Sequence, residues 1–329
     1  MTYLATALQA FFTDYAHTQR NLSANTIASY RDTWRLLIKD LSVTAGTSAD
    51  QLRLEDLDRH TVTQFLDHLT TQRGNTAATR NARLSAIRVL LAYTLPDHPE
   101  HADSIRQILA IGSAKTTKPL ISYLTEAEAE ALLAAPDTTT WTGRRDQMML
   151  SVTIGAGLRI SELTALTISS IHTGTSPYVE CEGKGRKHRA TPLSATTRDQ
   201  LSAYLRERAT RPGIALFPGP YGAALSRDAI EHRLAAHVRT AAKSYPAMST
   251  KHVTMHTLRH TTAMNLLHAG VDITVIALWL GHEQTSTTDM YLHADTQLKT
   301  DALDKTRPPS VAPGTYTPRA DILAWLETL

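Results

Sequence analysis

The sequence predicts a mainly α-helical protein with two domains and one small antiparallel β-hairpin. Apolar side chains recur at three- and four-residue spacing along most of the 329 residues. A polar, basic segment with a glycine and a proline, residues 112–119, interrupts that periodicity. Side-chain type alternates over Tyr178–Thr191, on both sides of a Gly-Lys-Gly turn. These observations predict an N-terminal domain over 1–112, a linker over 113–118, a second domain over 119–307 and a C-terminal extension over 308–329.

The N-terminal domain is predicted to be a bundle of four or five short helices. The first covers Thr2–Tyr15, which is amphipathic, and the second follows the capping signals Ser23 and Asn25. A third runs over Thr61–Thr71, and a fourth begins after Asn75. Each has one apolar side, as expected when helices share a core.

The second domain is also predicted to be mostly helical. It opens at Thr125, which forms a capping-box pattern with Glu128, and continues into a long helix that includes Met148 to Ile154. The hairpin over Tyr178–Thr191 follows. Later helices are expected at Thr196–Arg208, Arg227–Lys243, Thr257–Ala269, Ile273–Leu280 and around Thr288–Tyr291. In the extension, residues 308–314 read as a linker and Tyr316–Leu329 as a short helix.

Composition restricts the class of protein. Hydrophobic residues make up 42% and charged residues 20%, the balance of a globular chain. The formal charge is +3 and the pI about 8.9, which permits basic faces for nucleic acid. The single cysteine, Cys181, excludes an internal disulfide and reads as a small buried apolar residue. No segment has the length of apolar residues needed to cross a membrane, and no secretion signal opens the chain, so we expect a cytoplasmic protein.

Six polar residues of the second domain suit phosphoryl transfer. Two arginines can hold both non-bridging oxygens of a phosphodiester and offset the charge of its transition state. A tyrosine hydroxyl can be the nucleophile if a neighbour accepts its proton, and a lysine or histidine can protonate the departing oxygen. Neither a metal nor another cofactor is then required. The six residues are Arg159, Lys184, His256, Arg259, His282 and Tyr291.

At these positions the chain resembles the tyrosine recombinases, the family of phage integrases, Xer-type resolvases and transposon integrases. The resemblance rests on GLRISEL at Gly157–Leu163, GKGRKHR at Gly183–Arg189, HTLRH at His256–His260 and LGHEQTSTTDMYLH at Leu280–His293. Segment LSANTIASYRDTWRLLIKDL, residues 22–41, is similar to that family's DNA-clamping domain, a SAM-like core-binding bundle. One departure is minor: Ala156 stands where many members have threonine.

The resemblance implies a role for each of the six residues. Arg159 and Arg259 would bind the scissile phosphate, and Lys184 would protonate the leaving 5'-oxygen. His256 would serve proton transfer near the nucleophile and His282 would donate a hydrogen bond to phosphate. Tyr291 would form a 3'-phosphotyrosine. Residues that would support these groups rather than touch the phosphate are Glu162, His260 and His293.

The resemblance also implies partners: double-stranded DNA, a tetramer of this chain on two DNA sites, and in some systems a partner recombinase. Because the phosphotyrosine keeps the energy of the broken bond, no ATP is needed, in keeping with the absence of a G-x-x-x-x-G-K-[ST] loop. The C-terminal helix is a candidate for exchange between protomers. Basic residues expected to contact DNA are Arg31, Arg35, Arg80, Arg83, Arg88, Arg186, Lys187 and Arg189.

Two alternatives to a recombinase remain open from the sequence, and the sequence disfavours a third, a metal site. His256 and His260, at positions i and i+4, could be a metal pair, but no third ligand with suitable spacing appears. A type IB topoisomerase would use the same catalytic set without pairing DNA sites. A DNA-binding accessory protein would keep the fold without the chemistry, and the intact set of six argues against it.

Overall fold

The structure, a computed structural model, describes residues 2–116, 121–183 and 188–281, together with Thr288 and Tyr291. The chain divides into two compact units, Met1–Pro119 and Leu120–Leu329. Each unit has its own apolar core, so each buries enough surface to form a domain in its own right. The predicted fold class, mainly helical with a small antiparallel sheet, is confirmed.

The described part of the first unit is a bundle of five α-helices. They are α1 (Leu4–Ala10), which runs on as a π-helical segment (Phe11–Gln19), α2 (Ala24–Ala45), α3 (Arg59–Thr71), α4 (Ala77–Thr94) and α5 (Ala102–Leu109). The side chains of Ser23, Asp58 and Thr76 accept hydrogen bonds from backbone amides three residues on, which fixes where α2, α3 and α4 begin. The first helical stretch extends four residues past the predicted end at Tyr15, as a π-helix in which the rings of Phe11 and Tyr15 stack with centroids 5.3 Å apart.

Helix α4 also holds the chain where it leaves the first unit. The Asn81 side chain exchanges two hydrogen bonds with the backbone of Ala114, each of 2.9 Å. Arg80 donates to the carbonyl of Gly112 and Arg88 to that of Ile111. The end of the unit is therefore paired with side chains of its own bundle.

The second unit is built from seven described α-helices around a small sheet. They are α6 (Glu126–Ala134), α7 (Trp141–Ala156), α8 (Ile160–Ala165), α9 (Ala195–Arg208), α10 (Arg227–Ser244), α11 (Met255–His268) and α12 (Ile273–Leu280). Thr125 and Glu128 form the predicted capping box. The long helix expected after Thr125 is interrupted between α6 and α7, where Pro136 removes a backbone donor. Helix α11 begins two residues before its predicted start at Thr257, because Thr254 is its N-cap.

The described strands form one antiparallel sheet in the order β1 (Ile171–His172), β2 (Tyr178–Glu182) and β3 (His188–Pro192). The β2–β3 pair is the predicted hairpin, with Cys181 opposite Arg189. Strand β1 was not predicted, because two residues are too few for an alternating pattern. Val179 and Cys181 point into the core, as alternation along β2 requires.

Several sequence predictions lie outside the described residues: most of the helix around Thr288–Tyr291, the C-terminal extension over 308–329, and the end of the 113–118 linker. In the part of the chain that the structure describes, no helix combines the length and apolar character needed to cross a membrane.

Candidate active site

The turn between α7 and α8 places Arg159. Gly157 ends α7 with φ of +62°, and a Cβ on it would come within 2.5 Å of the Leu280 side chain. Only glycine fits this left-handed, closely packed position. Arg159 follows as the N-cap of α8, and its backbone amide donates to Oε2 of Glu162 at 2.8 Å. Its guanidinium Nη1 donates to Oε1 of the same carboxylate at 2.7 Å.

Arg259 lies in the first turns of α11 and is 1% exposed. It donates from Nη1 to the carbonyl of Gly157 and from Nη2 to that of Leu280, each at 2.6 Å. Burial, with the charges of Arg159 and Arg189 close by, lowers the pKa of Arg259 to about 10. It therefore stays cationic at neutral pH, and an anion in this place would relieve the repulsion among the three guanidinium groups.

Among the residues that the structure describes, one carboxylate, that of Glu162, pairs with this cluster and balances part of its charge. It accepts from Arg159 on one oxygen and from Arg189 on the other, each at 2.7 Å, and its side chain is 1% exposed. Three guanidinium groups against one carboxylate leave the cluster with excess positive charge. Such a cluster is suited to an anion with two available oxygens, as a phosphodiester has.

The C-terminal end of α12 orients all three arginines. Arg189 donates to the carbonyl of Trp279, Arg259 to that of Leu280 and Arg159 to that of Gly281, at 2.6, 2.6 and 2.9 Å. These carbonyls belong to the last turn and the C-cap of α12, and the carbonyls at a helix end have no amide partner within their own helix. Three successive carbonyls thus hold three side chains from three other elements.

Tyr291 is 1% exposed and packs with apolar residues of α11 and α12. Its hydroxyl lies 2.9 Å from Nδ1 of His260, which is 9% exposed. Burial, with His256 and Arg259 nearby, lowers the pKa of His260 to about 4. The ring is thus neutral at pH 7, and its tautomer sets which partner donates in the hydrogen bond between Nδ1 and the Tyr291 hydroxyl. Burial raises the pKa of Tyr291, so the nucleophile rests as the protonated phenol.

His256 lies one helical turn before His260, with ring centroids 4.2 Å apart. Desolvation and the charges of Arg259 and Arg159 lower the pKa of His256. It is on the exposed side of the site, whereas His260 is on the side of the nucleophile. The ring that contacts the Tyr291 hydroxyl is therefore His260, and the proton-transfer role expected of His256 stays a prediction.

The structure brings four of the six predicted catalytic residues into one region: Arg159, His256, Arg259 and Tyr291. Lys184 and His282 lie outside the described residues, as do His293 and two of the predicted DNA contacts, Arg186 and Lys187.

The other predicted DNA contacts differ in exposure. Arg31 and Arg35 are exposed on α2. Arg80, Arg83 and Arg88 are half-buried on α4, where Arg83 donates to the hydroxyl of Thr33. Arg189 is mostly buried within the arginine cluster.

Comparison with known proteins identifies the family. Residues 122–297 match the model of the phage integrase family, and residues 9–96 match the phage integrase N-terminal SAM-like domain. The chain belongs to the tyrosine recombinases. It is therefore an enzyme of the DNA strand transferase type, and the family predicted from the sequence is confirmed.

Two relatives and one solved structure illustrate the similarity. The chain is 41% identical over 326 residues to the putative integrase/recombinase y4rC of Sinorhizobium fredii, covering 99% of this chain and 98% of that protein. It is 35% identical over 290 residues to the tyrosine recombinase XerD of Pseudomonas aeruginosa, covering 86% and 91%. The fold is similar to that of the XerH site-specific recombinase in a post-cleavage complex with palindromic difH substrate, with a TM-score of 0.69 and 22% identity over 87% of this chain and 81% of that one.

The sequence did not show two features of this site. One is the direct contact of His260 with the nucleophile, although its place four residues after His256 was visible. The other is the inward position of Arg189. The available signal was that Arg189 and the buried Thr191 lie two residues apart on β3, so that their side chains are on the same face of the strand.

Proposed function

We propose that this tyrosine recombinase cleaves and rejoins DNA at specific sites through a covalent bond between Tyr291 and a 3'-phosphate. The observation that carries the proposal is the cluster of Arg159, Arg259 and Arg189 beside the carboxylate of Glu162, with the Tyr291 hydroxyl held nearby. Guanidinium groups that are already oriented lose little entropy when charge develops on a phosphate, and this lowers the barrier to transfer.

In the cleavage step the Tyr291 oxygen attacks phosphorus and the bond to the 5'-oxygen breaks. Arg159 and Arg259 bind the non-bridging oxygens, and His282 adds a hydrogen bond, as the family resemblance implies. Lys184 protonates the departing 5'-oxygen, and His256 serves proton transfer around the nucleophile. Attack by the 5'-hydroxyl of another strand reverses the chemistry and releases Tyr291, so neither a metal nor ATP enters the cycle.

The assembly we propose is a tetramer on two DNA sites, because four strands need four tyrosines. The C-terminal extension, whose apolar positions include Ile322, Leu326 and Leu329, is proposed to pass to a neighbouring protomer. A chain ending at Arg307 should then bind one DNA site but lose cooperative assembly on two. Native-gel titration checks this, and unaltered cooperativity would contradict the exchange.

Exposed Arg31 and Arg35 on α2 are proposed to contact the DNA backbone, as are Arg186 and Lys187 in the second unit. Three half-buried arginines of α4 are also proposed to contact DNA: Arg80, Arg83 and Arg88. Each donates one hydrogen bond within the bundle, and the proposal assigns the remaining N–H donors of each guanidinium to the DNA backbone. A cytoplasmic location, transposition as the biological context and a partner recombinase are further parts of the proposal.

The test is a trapping assay with nicked duplexes taken from the flanks of the gene, in buffer with a chelator. Loss of the short fragment beyond the nick prevents religation, so a covalent adduct accumulates on a denaturing gel. The wild type should form the adduct and Tyr291→Phe should not. Tyr204→Phe is the matched control, because Tyr204 is another buried tyrosine of the same unit and donates to the Leu216 carbonyl.

The same assay separates the alternatives. Bound DNA without an adduct would favour the accessory protein that lacks chemistry. An adduct accompanied by relaxation of supercoiled plasmid, with no joining of two sites, would favour the topoisomerase. Joined products from two sites with an adduct at Tyr291 would support the recombinase.

A further inference from the structure

Arg189 differs from a DNA-contacting arginine in how its donors are used. The residue lies on β3, and its side chain is 12% exposed. Nε donates to Sγ of Cys181 at 3.2 Å, Nη1 to the carbonyl of Trp279 at 2.6 Å and Nη2 to Oε2 of Glu162 at 2.7 Å. All three guanidinium nitrogens therefore have a partner within the second unit. These bonds use three of its five N–H donors and join the guanidinium to β2, α8 and α12 at once.

The partner of Nη2 is the same carboxylate that orients Arg159. Oε2 of Glu162 accepts from the backbone amide of Arg159 as well as from Arg189, while Oε1 accepts from the Arg159 guanidinium. A carboxylate that is 1% exposed has no water to restore a lost donor. Removing Arg189 thus leaves Glu162 short of one hydrogen bond and frees it to tilt, and Arg159 tilts with it.

The partner of Nη1 is the first of the three carbonyls at the end of α12. The stem of Arg189 also packs against Gly281, where a Cβ would lie 3.1 Å from Cδ of the arginine. Arg189 consequently fixes β3 against the helix end that receives Arg159 and Arg259. Two independent connections, one through Glu162 and one through α12, lead from Arg189 to Arg159.

We propose that Arg189 is a positioning residue for phosphate activation, which sets the guanidinium of Arg159 and does not contact DNA. The inference rests on the proposed function, because it assumes that Arg159 binds the scissile phosphate. A lysine cannot replace this arginine, because one ammonium group cannot reach three acceptors that surround a planar guanidinium.

The experiment compares wild type, Arg189→Gln and Arg189→Lys in single-turnover cleavage of the nicked duplex. Each is tested on a normal scissile phosphate and on a neutral methylphosphonate at the same place. Since a displacement of about 1 Å can lower a rate by about 100-fold, both variants should cleave the phosphate about 10- to 100-fold more slowly. The loss on methylphosphonate should be much smaller, because that linkage lacks the charge that Arg159 stabilises. Arg159→Ala should show the same preference for the neutral linkage.

Two further measurements separate positioning from DNA contact and from folding. The slope of log affinity against log salt should be unchanged in Arg189→Gln, since a lost phosphate contact would lower it by about 0.9. The double variant Glu162→Gln/Arg189→Gln should lose less cleavage activity than the two single losses combined, because both changes act on the connection through Glu162. Arg198→Gln is the matched control, because its partner Asp199 is its neighbour on an exposed face.

A slope lowered by about 0.9 would overturn the inference in favour of a DNA contact. Equal losses on both linkages would overturn it in favour of a folding role alone. Unaltered cleavage by Arg189→Gln, beside a wild type that forms the Tyr291 adduct, would refute the positioning role and leave the proposed function standing. A wild type without that adduct would overturn both.

Discussion

Mild acid should loosen α11, because His260 is buried in its neutral form. The ring is 9% exposed, and burial with His256 and Arg259 nearby lowers its pKa from 6.5 to about 4. In the unfolded chain the same ring takes up a proton below about pH 6.5. The stability that depends on neutral His260 is therefore present above pH 6.5 and is lost as the pH falls towards 4. The full interval corresponds to about 3 kcal/mol, of which about 2 kcal/mol is lost by pH 5.

Hydrogen–deuterium exchange of the full chain at pH 7 and pH 5, corrected for intrinsic exchange rates, measures this effect in α11. His260→Asn is the informative variant, because its side-chain amide can bond to the Tyr291 hydroxyl in either direction but does not titrate. Wild type should lose about 2 kcal/mol more of its opening free energy than His260→Asn does between these pH values. His232→Asn, at an exposed position of α10, is the control and should follow the wild type. Equal losses in wild type and His260→Asn would refute the assignment of a buried, neutral ring.

Three further predictions concern other parts of the chain. Gly281→Ala should slow DNA cleavage and lower the free energy of unfolding by about 1–3 kcal/mol, because φ is +65° and the new Cβ would press on Arg189. Gly270→Ala is the control, because φ is +79° there but the space around it is open. In thermal unfolding it should show only the smaller loss of stability that comes from the backbone conformation. Asp146→Asn should destabilise the second unit by about 3–5 kcal/mol in urea denaturation, since Arg145, Arg233 and His237 all bond to this buried carboxylate. Reversing Arg31 and Arg35 to glutamate should weaken DNA binding and lower the salt slope by about 2, and an unaltered slope would argue against contacts from α2.

Helix positions were predictable because their signals are local. A cap lies three residues from the amide it binds, so Ser23 and Thr125 indicate the starts of their helices within a few residues of sequence. The apolar side of a helix repeats every turn, and this pattern predicts α12 from its own segment alone. Two helix ends differ from the prediction, and the local signals at these ends are weaker. The π-helical continuation past Tyr15 has no capping glycine at its end, and a single proline, Pro136, marks the interruption within an otherwise helical pattern.

The candidate site was predictable in its membership but not in its connections. Arg159, His256, Arg259 and Tyr291 were named from residue type, order and resemblance, and the structure brings them together. Which histidine meets the nucleophile was not predictable, because His256 and His260 share one helix and differ only in how α11 packs. Arg189 was predicted to contact DNA, and a basic residue in a basic segment gives no sign of the three hydrogen bonds that its guanidinium makes within the second unit.

The sequence by itself therefore determined the family, the helical fold and the chemical groups available for phosphoryl transfer. Only the tertiary structure decided that three arginines share one carboxylate and one helix end. The reason is that those contacts join residues far apart in the chain: Arg159 and Gly281 are separated by 122 positions, and Arg259 and Gly157 by 102. No periodicity or spacing in a sequence encodes which backbone carbonyl a buried guanidinium will find, because that choice is made by packing.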